Sequence, residues 1–167
     1  LPTHAYMGLS DSKTLDSQSG LESSLGAILA ALGGINMISG LGMMNFESTQ
    51  SLEKLIIDND IAGIIKRLIK GISDYGKPYA FNILNDYDKT EELLSHSSTL
   101  KLYKKELLFP SSIIDRNTLE NWKNKGSQTA KTRARELSKV LEKKPIPREL
   151  DENTSKELEK IVSKNLK

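Results

Sequence analysis

Side chains able to do chemistry gather in two short stretches of this chain. In Ser10-Asp11-Ser12-Lys13 a carboxylate and an ammonium stand among hydroxyls. Such a run could set charge and hydroxyls in one loop, although Asp11 and Ser12 equally suit a turn. The second stretch, Gly40-Leu41-Gly42-Met43-Met44-Asn45-Phe46-Glu47, carries two methionines and an aromatic ring behind two glycines. Tyr6, Met7 and Phe46 add aromatic faces and a polarizable sulfur that could line a pocket. Core packing is the plainer role for any one of them. Met43-Met44 is an apolar pair in an expected loop, which suits a loop folded over a ligand, a contact with another protein, or an anchor in the core.

Other chemistries are excluded by residue type. The chain has no cysteine, hence no disulfide, thiolate metal site or cysteine nucleophile, and this fits a reducing, cytoplasmic compartment. Its two histidines, His4 and His96, are too few for a self-contained metal site, so no metal is expected. Asp58 and Asp60 resemble paired carboxylates, but residues two apart on a helix point to different faces, so they read as packing or salt-bridge positions. No G-x-S-x-G elbow, Walker loop or dinucleotide fingerprint occurs, which argues against hydrolase, nucleotide-binding and dehydrogenase functions. The net charge of +2 is too small to imply a nucleic acid or a membrane surface as partner. The basic run through Lys131, Arg133, Arg135, Lys139, Lys143 and Lys144 is interleaved with glutamates and reads as a solvated helix face. The longest apolar stretch, Leu25 to Gly42, is broken by Asn36 and Ser39 and reads as helix, turn and strand instead of a membrane span.

The elements that must position these residues follow from periodicity. Leu1 to Ser19 reads as loop around a short extended run at Ala5-Tyr6-Met7. Leu25, Ile28, Leu29 and Leu32 recur at helical spacing, and Gly33-Gly34 supplies a stop. Ile35 to Ser39 reads as a buried strand, and a long helix is expected from near Ser48 to Gly71 with Leu52, Leu55, Ile56, Ile64, Ile65 and Leu68 on its apolar stripe. Strand, glycine loop and long helix in alternation mark α/β units with parallel strands, whose functional loops follow the strands' carboxyl ends. Shorter helices are expected at Tyr79 to Asn85 and Ser98 to Leu108. From Asp115 the chain is charged and helical, with Ala134, Leu137, Val140 and Leu141 as a narrow apolar face. After Pro145-Ile146-Pro147 comes a last helix, opened by a capping box at Thr154 and Glu157, with Leu158, Ile161 and Val162 buried.

Three stretches carry a resemblance to a known family. They are Ser10-Asp11-Ser12-Lys13-Thr14-Leu15-Asp16-Ser17-Gln18-Ser19-Gly20-Leu21-Glu22, then Ser51-Leu52-Glu53-Lys54-Leu55-Ile56-Ile57-Asp58-Asn59-Asp60-Ile61-Ala62-Gly63, then Ile114-Asp115-Arg116 with Trp122. In order and spacing they resemble the C-terminal region of the trimethylamine methyltransferase family, whose patterns read S-D-[AS]-K-x-x-D-x-Q-x-G, a helix with L-V-I-D-x-E-I, and L-D-R followed by tryptophan. The resemblance implies an α/β fold: the C-terminal part of a TIM-type (β/α)8 barrel, predominantly helical here. Residues 1–110 would supply the last barrel strands and helices, and residues 111–167 a helical extension packed on the barrel.

The resemblance also implies an activity: transfer of a methyl group from trimethylamine, or a quaternary amine such as glycine betaine, to the Co(I) centre of a separate corrinoid protein. No cofactor would be bound directly, the corrinoid being carried by the partner. Tyr6, Met7, Asp11, Lys13 and Phe46 would face the amine at the barrel mouth, and Met43, Met44 and His96 would meet the corrinoid protein. The N-terminal portion of the same barrel and a second copy of the chain are further expected partners. One subgroup of the family uses pyrrolysine; every residue here is standard, and a start at Leu1 without methionine suits a reading frame resumed after an amber codon. This piece alone is expected to be inactive. One departure stands out: where the family has G-G-H-F-L and H-P-H-T-L, this chain has Asp88-Lys89-Thr90-Glu91-Glu92-Leu93-Leu94 and Ser95-His96-Ser97-Ser98-Thr99-Leu100. His96 remains but the other two histidines are replaced, which suits an altered substrate or reduced activity, or a noncatalytic, partner-binding helical protein descended from such an enzyme.

Overall fold

The structure, a computed structural model, describes residues 1–75, 81, 84, 93–144 and 150–165. The chain opens with strand β1 (His4–Tyr6), helix α1 (Ser17–Leu32) and strand β2 (Met37–Ser39). The two strands pair in parallel with Ala5 opposite Ile38, and the pairing continues where Gly8 N–H donates to the Ser39 carbonyl at 2.9 Å. A parallel pair needs a crossover, and α1 supplies it. Two-residue strands β3 (Met43–Met44) and β4 (Thr49–Gln50) then form an antiparallel hairpin. Helices α2 (Leu52–Lys70), α3 (Ser97–Glu106), α4 (Leu119–Asn124), α5 (Ala130–Glu142) and α6 (Glu152–Asn165) follow.

Helix α1 starts where Asp16 accepts a hydrogen bond from Ser19 N–H. Its buried face is made of Ser19, Ser23, Ala27 and Ala30, while Leu25, Leu29 and Leu32 of the expected apolar face are 53 to 64% exposed. The cause is the closeness of α1 to the β1 exit: a Cβ on Gly26 would lie 2.2 Å from the Met7 carbonyl oxygen, so only small residues fit on that side. Helix α2 is central, packing against α1 and against α5. Its cap is Ser51, which accepts from Lys54 N–H, and not Ser48; the residues between them are taken up by the hairpin. Gly71, at φ +67°, ends it.

The C-terminal segment is fastened to α2 by polar bonds. Asp60 accepts from Ser111 N–H and hydroxyl, Arg135 pairs with Glu53 at 3.0 Å, and Arg133 donates from Nε and Nη2 to the carbonyl of Ile113, which is fully buried. The expected continuous helix from Asp115 is instead α4 and α5, separated at Gly126 and Ser127, both at positive φ. On α5 the buried residues are Ala134 and Ser138, whereas Val140 and Leu141 are exposed. Helix α6 is opened by Asp151, which accepts from Asn153 and Thr154, and not by a box at Thr154 and Glu157. Leu158, Ile161 and Val162 are exposed, against expectation. The expected helix at Ser98 to Leu108 is α3; the one at Tyr79 to Asn85 lies outside the described residues except for Phe81 and Leu84. Among the described residues no helix is long and apolar enough to cross a membrane.

Candidate functional site at the carboxyl ends of the parallel strands

Because β1 and β2 run parallel, the segments leaving them, residues 7–16 and 40–48, emerge on the same side. They are stitched by backbone hydrogen bonds: Ser10 N–H to the Met43 carbonyl at 3.1 Å and Asn45 N–H to the Ser12 carbonyl at 3.2 Å. The second segment is tightly curved. Gly40 and Gly42 have φ of +99° and +83°, and a Cβ at Gly42 would lie 2.9 Å from Leu55 Cβ. Asn45, Phe46 and Glu47 follow with φ of 51°, 52° and 69°. Left-handed backbone costs a non-glycine residue roughly 1–2 kcal/mol, so three in succession persist only because the surrounding bonds impose them.

The first segment is organised by carboxylates. Glu22, one turn into α1, accepts from the Ser10 hydroxyl at 2.6 Å and Asp11 N–H at 2.8 Å on one oxygen, and from Gln18 Nε2 at 2.9 Å on the other. The Ser10 hydroxyl, then Gln18 and the Asp11 N–H, hold its carboxyl below the usual glutamate range. Ser12 is buried and donates from its hydroxyl to the Thr14 carbonyl and to Asp16 Oδ1. Asp16 is likewise lowered, chiefly by Ser19 N–H and the Thr14 hydroxyl.

Of the expected amine-facing residues, Lys13 and Phe46 meet across the two segments. Lys13 Nζ lies 4.9 Å from the centroid of the Phe46 ring and donates to the Asp11 carbonyl at 2.8 Å. Phe46 is 67% exposed. Asp11 and Met7, in the first segment, are half-buried, and Tyr6, at the end of β1, packs edge-on against His4 with ring centroids 5.4 Å apart. Met44 is 5% exposed, held in the chain's own interior, while Met43 is half-buried. His96 is not among the residues that join the two segments; its Nδ1 accepts from Ser98 N–H and caps α3.

Below this surface lies a buried network, in which Asp58, read from the sequence as a packing or salt-bridge position, finds its partner. Lys54 and Asp58, one turn apart on α2, are each 1% exposed and pair at 2.5 Å. Lys54 also donates to the Ser23 hydroxyl at 2.6 Å, and Asp58 accepts from Gly42 N–H at 2.8 Å. Burial pushes the Asp58 carboxyl above its ordinary range despite the Gly42 N–H and the Lys54 ammonium. Asp60 points elsewhere, to Ser111, as the two-residue spacing requires. The signal that could have found this network was Lys54 and Asp58 at i, i+4 on an otherwise apolar stripe. Among the described residues no group of three or more His, Asp or Glu could hold a metal ion.

A profile of the trimethylamine methyltransferase family matches residues 1–167. This chain belongs to that family. It is 31% identical over 166 residues to a trimethylamine methyltransferase of Methanosarcina barkeri, covering 98% of this chain and 33% of that protein. It is 28% identical over 164 residues to a glycine betaine methyltransferase of Desulfitobacterium hafniense, covering 98% and 34%. A Methanosarcina thermophila trimethylamine methyltransferase is 33% identical over 130 residues, covering 77% and 26%. The chain thus spans about a third of the length of the curated relatives it matches.

Proposed function

We propose that this chain forms the C-terminal part of a (β/α)8 methyltransferase and that the paired loops after β1 and β2 bind a methylated amine for transfer of a methyl group to a corrinoid protein. Support comes from family membership, from relatives named for trimethylamine and glycine betaine, and from the parallel β1-α1-β2 unit with both exit loops on one side. The carrying observation is the cation already seated on the Phe46 ring at the meeting point of those loops. A ring face that attracts one ammonium attracts another.

In this reading the residues of this chain bind and orient. Glu22 and Asp16 fix the first loop through Ser10, Ser12 and the Asp11 N–H, and the Gly42 contact to Asp58 fixes the second. The Phe46 face holds the methylated nitrogen so that one N–CH3 bond points outward for in-line displacement, a positioning effect. The corrinoid of the partner supplies the methyl-accepting cobalt. Exposed Phe46 and Leu52 suit a group presented from outside the chain. A catalytic pyrrolysine, where used, belongs to a part of the barrel outside these residues.

The test is methyl transfer by the whole native gene product to its cognate corrinoid protein, with trimethylamine and glycine betaine compared. Phe46→Leu is expected to raise the KM for the amine by about two- to fivefold, the worth of an exposed cation–π contact, while leaving kcat nearly unchanged. Unaltered KM for both amines would overturn the assignment of the site.

A further inference from the structure

We propose that Lys13 is a built-in competitor for the cation seat on Phe46, occupying the ring when the site is empty and leaving when a methylated ammonium ion binds. The inference deepens the amine-binding reading above and rests on it. Its basis is the contrast between a fixed ring and a loosely held lysine. Phe46 sits in the middle of the left-handed run Asn45-Phe46-Glu47, and that run is pinned at its start, where Asn45 N–H donates to the Ser12 carbonyl, and at its end, where Ser48 N–H donates to the Asn45 carbonyl. The backbone that carries Lys13 is equally fixed: Asp11 N–H donates to Glu22 and Ser12 N–H to the Ser10 hydroxyl.

The Lys13 side chain is held differently. It is exposed, its ammonium makes one hydrogen bond, to the Asp11 carbonyl, and its other contact is the Phe46 face at 4.9 Å. Among the described residues it has no carboxylate partner. An ammonium with three donors and one protein acceptor is easily surrendered to water, so the seat can be vacated at small cost. A quaternary ammonium has no N–H to hydrate and gains relatively more from the ring. Lys13 thereby lowers the apparent affinity of every cation by one common factor, and the ring's larger gain from fully methylated nitrogen decides which of them binds.

The test is calorimetric titration of the whole native gene product with tetramethylammonium chloride, a probe that carries the charge and the methyl groups and cannot react by losing a proton. Lys13→Met is expected to tighten binding about two- to fivefold, and Lys13→Arg to restore the wild-type value, because a guanidinium also stacks on the ring. General charge repulsion would give the same first result, so the double variant Lys13→Met/Phe46→Leu decides. Competition for the ring requires the gain to vanish when Phe46 is absent, whereas repulsion leaves it intact. Binding by Lys13→Met equal to or weaker than wild type, or a gain that survives Phe46→Leu, overturns the inference and leaves the amine-binding reading standing. No binding by the wild type and by every variant overturns both.

Discussion

Lys54→Met tests what the buried pair beneath the second loop does. The substitution leaves a side chain of similar length in place of the ammonium and strands Asp58, 1% exposed, with the Gly42 N–H as its remaining partner. At 2.5 Å and an effective dielectric of about 20 the two charges attract by about 7 kcal/mol, but desolvating each ion costs several kcal/mol, so the net contribution of the pair is near zero. The upward displacement of the Asp58 carboxyl by burial agrees in sign. Removing one partner is another matter: an uncompensated buried charge costs roughly 3–5 kcal/mol, a large share of the 5–15 kcal/mol that stabilises a domain. In Lys54→Met/Asp58→Asn the charge is gone and the amide oxygen still accepts from Gly42 N–H, so the loss should fall to about 1–2 kcal/mol, the worth of an imperfectly satisfied amide. The assay is equilibrium urea unfolding followed by far-UV circular dichroism and by Trp122 fluorescence, the indole being fixed through its N–H to the Gln128 carbonyl. A double variant no more stable than Lys54→Met would refute the reasoning, because it would show that the network acts by packing and not by charge compensation.

Two glycines give opposite outcomes in the same unfolding assay. Gly26→Ala, which puts a Cβ 2.2 Å from the Met7 carbonyl oxygen, should cost about 1–3 kcal/mol, whereas Gly63→Ala on α2, with nothing within 4 Å, should stabilise by up to about 1 kcal/mol; equal effects would contradict the close seating of α1 on the β1 exit. Glu22 sets an acid limb. Its folded carboxyl lies below the unfolded value of 4.5, so its contribution is complete above that pH and is lost as pH falls through the folded value. The melting temperature of the wild type should therefore decline more steeply below pH 4.5 than that of Glu22→Gln, and parallel curves would remove Glu22 from its place as organiser of the first loop. Asp58, with its carboxyl raised, contributes with the opposite sign: protonation on acidification relieves a cost.

How much of this was legible in the sequence depends on the range over which each feature is determined. Helical periodicity and caps act within a turn or two, so α3 is found within two residues of its ends and the bounds of α2 differ from expectation at its start, where Ser51 and not Ser48 caps it, although Leu52, Leu55, Ile64 and Leu68 of its expected apolar stripe are exposed. The family was legible because its three motifs are strings of side chains in order, and the profile match over residues 1–167 agrees. The correct role for Asp58 and Asp60 followed from helix geometry alone.

What tertiary structure decided are the choices that depend on a neighbour distant in sequence. On α1 a leucine stripe and a serine–alanine face compete for burial, and the close approach of Gly26 to Met7 selects the small face, against what hydrophobicity suggests. Lys54 has no partner named from the sequence; Ser23 from another helix and Gly42 from a loop hold it and Asp58 inside. Lys13 and Phe46 lie on separate loops and meet only because β1 and β2 pair in parallel, which sends both loops to one side. Side-chain types were determined by the sequence alone; which of them share a site was determined by strand direction and by how closely α1 and α2 approach.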